Sequence, residues 1–390
     1  MELQKKKSTP LWRNKKMIPI ILQILFVIII GSLLWILVHN TRIGLDRIGI
    51  RFGFDFLDLR AGFNINESLI EYSTSDPYAR ALLVGLLSTL RVSFFGIILS
   101  TIIGVLVGIA KMSSNWLLSK VASIYIEVFR NTPLLLQIFI LNFAVFLSLP
   151  TIQEAIGVGP FYLSNRGAVI PWFNTHDLTW MWSLLLLVYV IGSFLVFKWL
   201  MKKEIEEGRD THPFSAAFGV FVLLNIVTFF VFGQGPVNML VPKFTGDTIV
   251  GGLALTTPFL SILLALTFFT STYIAEIVRG GIQAVPKGQT EATQALGFRP
   301  ANAMRLVIFP QAVRIIIPPM TSQYLNLIKN SSLALAVGYQ EIVGVGNTVM
   351  NQSGRTLEVI LVIIGVYLFF NLTISLIMNY FNKKFQLIER

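Results

Sequence analysis

Lys329, Asn330, Ser331 and Ser332 interrupt an otherwise apolar run between Pro319 and Val337. They are the residues of this chain best suited to grip a small polar ligand, because polar groups at membrane depth must find partners or water. Two readings stand side by side. In the first, Asn330 and the serines cap a break in a helix while Lys329 reaches for an interface. In the second, the break frees backbone and side-chain groups to hold the charged ends of a ligand, as discontinuous helices do in transporters. Gln340 and Glu341 follow closely and suit an outer gate.

Catalysis has no comparable constellation. His39, His176 and His212 stand far apart, with no HExxH spacing. No Gly directly precedes a Lys, so there is no Walker A phosphate loop and the chain does not hydrolyse ATP by that route. A Gly-x-Ser-x-Gly elbow is missing too. The chain contains 0 cysteines, which excludes disulfides and thiolate metal sites. Whatever drives this protein comes from elsewhere, and no cofactor is expected on the chain itself.

The elements that must position the polar cluster are membrane helices. Hydrophobic residues make up 54% of the 390 positions and charged ones 13%, against about 25% charged in a soluble domain. Met17 to Val38 carries no charge and as a helix is about 33 Å long, enough for a hydrocarbon core of roughly 30 Å. It outlasts a signal-peptide core and no small-residue cleavage site follows, so it reads as an uncleaved span. Further spans are predicted near Ala81 to Ala110, Val121 to Leu149, Trp180 to Leu200, Phe214 to Phe232, Leu253 to Ile277, Gln311 to Leu335 and Leu357 to Tyr380. That makes eight, in an all-α membrane protein.

Basic residues orient these spans. With the N-terminus inside, twenty-one Lys and Arg fall on the cytoplasmic side and eight outside, leaving Arg91 and Lys329 within spans. The positive-inside rule then puts both ends in the cytoplasm. The net charge of +11 is scattered along membrane flanks, which suits anionic lipid headgroups and gives no nucleic-acid reading motif. In the first outer loop, Ile48, Ile50, Phe52, Phe54 and Phe56 alternate with Gly49, Arg51, Gly53 and Asp55. A period of two predicts an extended element there, either resting in the interface or binding a partner. Pro150 to about Asp177 reads as an interfacial lid, and the uncharged spans flanking Lys202 to Pro213 read as an added pair outside any polar path.

One cytoplasmic stretch, TEATQALGFRPANAMRLVIFPQAV from Thr290 to Val313, parses as two short helices around a bend. The first runs Glu291 to Leu296 and stops at Gly297; the second restarts at Pro300 and stops near Pro310. Glu291 falls at a helix start, where the dipole favours it. Ala292, Ala295 and Leu296 share one face, and Met304, Val307 and Ile308 another. Such a pair fits either an interfacial connector or the groove of a soluble partner.

The stretch resembles the coupling motif of ABC importer permeases, with Glu291, Ala292, Gly297 and Pro310 in register and Thr293, Val307 and Phe309 as replacements. IEVFRNTPLLLQIF (Ile126 to Phe139), TYIAEIVRGGIQAVPKGQTEA (Thr272 to Ala292) and LNLIKNSSLALAVGYQEI (Leu325 to Ile342) are similar to the polar amino-acid branch, with Asn131 where Gly is usual. The resemblance covers Ala79 to Leu149 and Gly252 to Tyr380, and the remainder resembles enlarged subunits of general or acidic-and-amide amino-acid importers.

It implies a type I importer permease fold with a five-helix core, an extra N-terminal helix and an inserted helix pair. In those terms residues 1–79 are the tail, first helix and outer loop. Residues 80–149 and 252–390 are the two parts of the core, and 150–251 the insertion. It further implies that Glu291, Ala292, Gly297, Arg299 and Pro310 engage ATP-binding cassette ATPase subunits, which use ATP and Mg. A second related permease, an extracytoplasmic amino-acid-binding protein and an L-amino-acid substrate complete the implied assembly, with Asn330, Ser331 and Ser332 as substrate-binding candidates. The rival class, an ion-coupled secondary transporter, needs intramembrane carboxylates. Glu127 and Glu276 lie in predicted spans, each three residues from an Arg and suited to a local helix pair.

Overall fold

The computed structural model describes residues 17–47, 52–207 and 212–385. Within them the apolar runs form α1 (Met17–Arg47), α2 (Tyr78–Lys111), α3 (Trp116–Asn131), α4 (Leu134–Phe139), α5 (Thr179–Glu207) and α6 (Pro213–Phe232). The second half forms α7 (Thr257–Gln283), α8 (Lys287–Ala295), α9 (Pro300–Ala303), α10 (Phe309–Asn330), α11 (Ile342–Ser353) and α12 (Thr356–Phe385). Seven helical stretches are long and apolar enough to cross a membrane, or eight if a bent pair counts as one. The basic N-terminal tail and Gly208 to Thr211 lie outside the described residues.

That bent pair corrects the span predicted from Val121 to Leu149. α3 and α4 meet at 102°. The cause is Pro133, which disfavours helix in the residue before it: Thr132 takes an extended backbone with ψ 127°. The Gln137 amide then holds the corner by donating to Phe129 O at 2.7 Å and Thr132 O at 2.9 Å. Beyond α4 the chain continues as a π-helical stretch, Ile140–Phe146.

Over Phe52 to Phe56, the described part of the extended element expected from Ile48 to Phe56, no strand is present. Ile48 to Arg51 lie outside the described residues, and Asp55–Asp58 is a 3₁₀ turn. Phe56 is buried against Ala61, Ile65, Tyr78, Ile342 and Val345, while Phe52 and Phe54 stay exposed. One anchoring ring rather than an alternating face organises this loop.

Where a lid was expected, the chain builds β1 (Ile156–Val158), β2 (Phe161–Ser164), β3 (Gly167–Ile170) and β4 (Trp172–Asn174). After α6 come β5 (Asn238–Leu240), β6 (Lys243–Phe244), β7 (Ile249–Val250) and β8 (Leu253–Thr256). β1, β2, β3 and β8 form an antiparallel sheet with Ala168 opposite Leu255, and β4 pairs with β5. The two flanks of the inserted pair are thereby zipped together at its base. α5 and α6 pack on each other, with the Tyr189 and Thr228 hydroxyls 2.5 Å apart. Their outer faces are apolar and exposed, as at Leu187 and Phe230.

The centre of the molecule is the packing of α2 on α7. Gly104 and Gly108, one turn apart, let the backbones approach as in membrane GxxxG contacts. A Cβ on Gly104 would lie 2.6 Å from Ile274 Cβ and 2.9 Å from Ser271 O, and one on Gly108 would lie 2.7 Å from Ala275 O. Neither carbonyl can swing away without unwinding α7. Gly108→Val is therefore expected to cost about 1–3 kcal/mol through overpacking, read as a lower thermal midpoint of the detergent-purified protein; an unchanged midpoint would contradict the contact. From Ile308, just before α10, through Ala312, Ile316, Met320 and Tyr324 within it, apolar residues recur every four positions and pack onto Ile274, Val278 and Ile282 of α7.

Candidate coupling bend and polar break

The bend is built by α8, α9 and the start of α10. α8 ends in a Schellman motif: Phe298 N–H donates to Thr293 O at 3.0 Å and Gly297 N–H to Gln294 O at 2.9 Å. This geometry requires a left-handed residue, and Gly297 has φ +74°. Arg299 is extended, with ψ 145°, and caps α9, which opens at Pro300. The stop expected near Pro310 is absent. A π-helical stretch, Met304–Ile308, leads directly into α10. Pro310 has no N–H to donate, and the wider turn before it absorbs that loss without ending the helix. Glu291 is the fifth residue of α8, which begins at Lys287, so it is not at the helix start.

The expected stripes are also redistributed. Thr293 is the buried residue of α8, its hydroxyl donating to Thr290 O at 2.8 Å. Glu291, Ala292, Ala295 and Leu296 face outward, and Leu296 is 74% exposed. In the second piece Ile308 is buried, Val307 half-buried and Met304 exposed. The bend thus presents an apolar rim of Leu296, Phe298, Met304 and Leu306 beside the Glu291 carboxylate and the exposed Arg299. Gln311 Nε2 reaches Gln289 Oε1 at 3.3 Å and ties α8 to α10.

Glu276 secures the same end. It accepts from Lys111 at 2.5 Å and pairs with Arg279 at 2.8 Å, linking α7 to α2 as well as making the expected local pair. The other expected local pair does not form. Arg130 lies over the Tyr273 ring of α7, 5.3 Å from its centroid, rather than on Glu127.

About 33 Å along α10 from the bend, Asn330 is the last α-helical residue, and Ser331–Val337 continues as a 3₁₀ segment ending at Gly338, φ +78°. The break is real, but both hydroxyls are engaged within it: Ser331 Oγ donates to Ile328 O at 2.7 Å and Ser332 Oγ to Lys329 O at 2.8 Å. Asn330 is half-buried and Lys329 exposed. The strongest polar anchor beyond the break is Glu341, which is fully buried. Its Oε1 caps α11 by accepting from Val343 N and Gly344 N, each at 2.9 Å, and its Oε2 accepts from Thr89 at 3.3 Å and Tyr367 at 3.2 Å. Burial pushes this carboxyl above the ordinary carboxylate range, against the hydrogen bonds that favour its ionised form. Thr89, Tyr367 and the Arg91–Glu67 pair were not singled out from sequence. An Arg inside a span was the one visible signal.

A multi-pass helical bundle in which α7 leads across Ala284 to Pro286 into an apolar-rimmed bend, and the bend runs on into α10, has the build of a membrane permease component. The family model described as the binding-protein-dependent transport system inner membrane component matches residues 213–387. The chain is 46% identical over 330 residues to the general L-amino acid transport system permease protein AapQ of Rhizobium johnstonii, covering 84% of this chain and 82% of that one. It is 38% identical over 358 residues to the glutamate/glutamine/aspartate/asparagine transport system permease protein BztB of Rhodobacter capsulatus, covering 84% of each. The probable glutamine ABC transporter permease protein GlnM of Bacillus subtilis is 34% identical over 203 residues, 51% of this chain and 87% of the shorter relative. The chain belongs to the family of ABC amino-acid importer permeases.

Proposed function

We propose that this chain is an enlarged permease subunit that pairs with a second, related permease in an importer of polar or acidic and amide L-amino acids, with a broader range as the wider form of the same reading. The substrate class is supported by what its full-length relatives are named for. The pairing is supported by the shared system name of two Rhodobacter capsulatus permeases, BztB and BztC. An amino-acid-binding protein delivers substrate from outside. ATPase subunits carrying ATP and Mg close inside and draw the bends together. The excess of basic residues on one side supports an inner-membrane protein with both termini cytoplasmic.

The observation that carries this reading is the bend. It joins α7 to α10 through α8, α9 and the π-helical stretch Met304–Ile308, so a push on Leu296 or Phe298 can be passed to α10, whose far end is the break after Asn330. Closure of the ATPases favours one state of the permease and hydrolysis the other, which is alternating access by differential binding. The test is uptake of labelled amino acids by proteoliposomes holding the assembled complex, with and without internal ATP. Uptake that ignores ATP, or that is confined to sugars or inorganic ions, refutes it. In the same assay Asn330→Leu is expected to reduce uptake of polar substrates and raise their half-saturation concentrations, because an apolar side chain replaces the half-buried amide at the break. Normal transport of every substrate would place the pocket elsewhere.

A further inference from the structure

Residues Asn64 to Glu67 of the first outer loop run across the end of the bundle that carries the sheet, and they are tied to three separate pieces of the core. Asn66 N–H donates to Gln340 Oε1 at 2.9 Å, and Gln340 Nε2 donates back to Asn64 O at 3.2 Å. Glu67 forms an ion pair with Arg91 of α2 and accepts from Thr256 Oγ1 at 2.5 Å, the residue that also caps α7. Between these anchors Ile65 is buried among Tyr78, Ile342 and Val345. Arg91 lies 4.0 Å over the Phe259 ring, Phe259 packs on Tyr339 with centroids 5.8 Å apart, and Tyr339 donates to Ser88 O at 3.2 Å. A single strap therefore joins α2, the start of α7 and the segment just past the break.

We infer that this strap is an outer latch of the transport cycle, with Glu67, Arg91 and Gln340 as positioning residues that hold α7 and the post-break segment together until the outer side opens. The inference rests on the importer reading above.

Opening the outer end of a permease separates helices around a central site, and bonds that cross from α7 to the post-break segment must then yield. The strap is made of interactions suited to yielding. Asn64 and Asn66 are exposed, so water can replace the Gln340 bonds. The Arg91 and Glu67 side chains are 8% and 13% exposed, and such a pair adds little net stability over an apolar match while fixing one arrangement firmly. A groove of about 540 Å³ adjoins Arg91, lined by Leu87, Phe94, Phe259 and Leu263, and gives its side chain room to turn when Glu67 leaves. Removing the Glu67 charge leaves the buried guanidinium uncompensated, which weakens the latched arrangement.

The chain has no cysteine, so Asn66→Cys with Gln340→Cys places a thiol pair across the strap. The double variant, in the reconstituted complex with binding protein, is treated with oxidant or with a short reducible bis-thiol linker. The latch predicts loss of ATP-driven uptake on cross-linking and recovery on reduction. Uptake that persists in fully cross-linked protein overturns it, since a merely structural strap can be fixed without harm. Failure of both reagents to cross-link also overturns it, because the two positions would then not be neighbours in the assembled transporter. Should the reduced pair itself be inactive, Glu67→Gln decides. Basal ATP hydrolysis several-fold above wild type, with weaker stimulation by loaded binding protein, supports a latch biased open; unchanged hydrolysis and stimulation refute it. ATP-dependent uptake by the wild-type complex is the control, and its absence would sink the importer reading instead.

Discussion

A Gly297→Val permease is expected to assemble in the membrane in normal amounts and yet to import at roughly a tenth of the wild-type rate or less. Gly297 sits at φ +74°, where no heavy atom lies within 4 Å of an added Cβ. The penalty is therefore torsional, not steric. A left-handed conformation costs an L-residue about 1–2 kcal/mol, and a β-branched one more. The chain relieves this by opening the Schellman motif, which releases Thr293 O and Gln294 O and re-aims Leu296 and Phe298. The transmembrane core feels little, because α8 and α9 pack mainly on each other and on the π-helical stretch Met304–Ile308. Gly297→Asn tolerates the left-handed region and should keep much of the activity. Substrate-stimulated ATP hydrolysis and uptake, measured on the same proteoliposomes, check the expectation. A Val variant with wild-type coupling would show that the bend does not transmit movement.

The bend was legible because two of its signals are local, a Gly that must be left-handed and a Pro at a helix start, whereas the faces read from spacing were not the buried ones. The spans were legible for the same reason, since a continuous apolar run has few alternatives in a bilayer. What escaped sequence reading was set by contacts between distant residues. The corner after Asn131 falls inside one predicted span, although the polar Arg130 to Thr132 and Pro133 mark it. The strands are two to four residues long, too short for a period to register, and β3 finds β8 only because the inserted pair brings its flanks together. Glu67 lies 24 residues from Arg91 and in a different kind of element, so the pair cannot be read from spacing. At Pro310 a correct local rule lost to context, as the π-helical stretch and the packing of Ile308, Ala312 and Ile316 on α7 keep the helix going.

The largest loss of stability is expected from Glu341→Ala. This carboxylate is fully buried, and four donors from three elements converge on it: Val343 N and Gly344 N at the start of α11, Thr89 on α2 and Tyr367 on α12. Removing a helix cap costs about 1 kcal/mol, and each buried donor left without a partner about 1–3 kcal/mol more, so the sum is on the order of 3 kcal/mol or above. Thr89 is partly spared, because its hydroxyl also lies 3.1 Å from Gly85 O and accepts from Ile342 N at 3.1 Å. The two backbone N–H groups of α11 have no such recourse inside the cluster of Tyr78, Ile342, Val345 and Val359. Glu341→Gln separates charge from hydrogen bonding. Its carbonyl can still cap α11, and its amide can donate to the Thr89 and Tyr367 hydroxyls, which rotate to accept. The Gln variant should therefore stay close to wild type while the Ala variant loses thermal midpoint and yield of assembled complex in detergent. Equal damage from both would mean that the negative charge, rather than the cap, holds α2, α11 and α12 together, and an Ala variant as stable as wild type would remove Glu341 from the account of this end of the fold altogether.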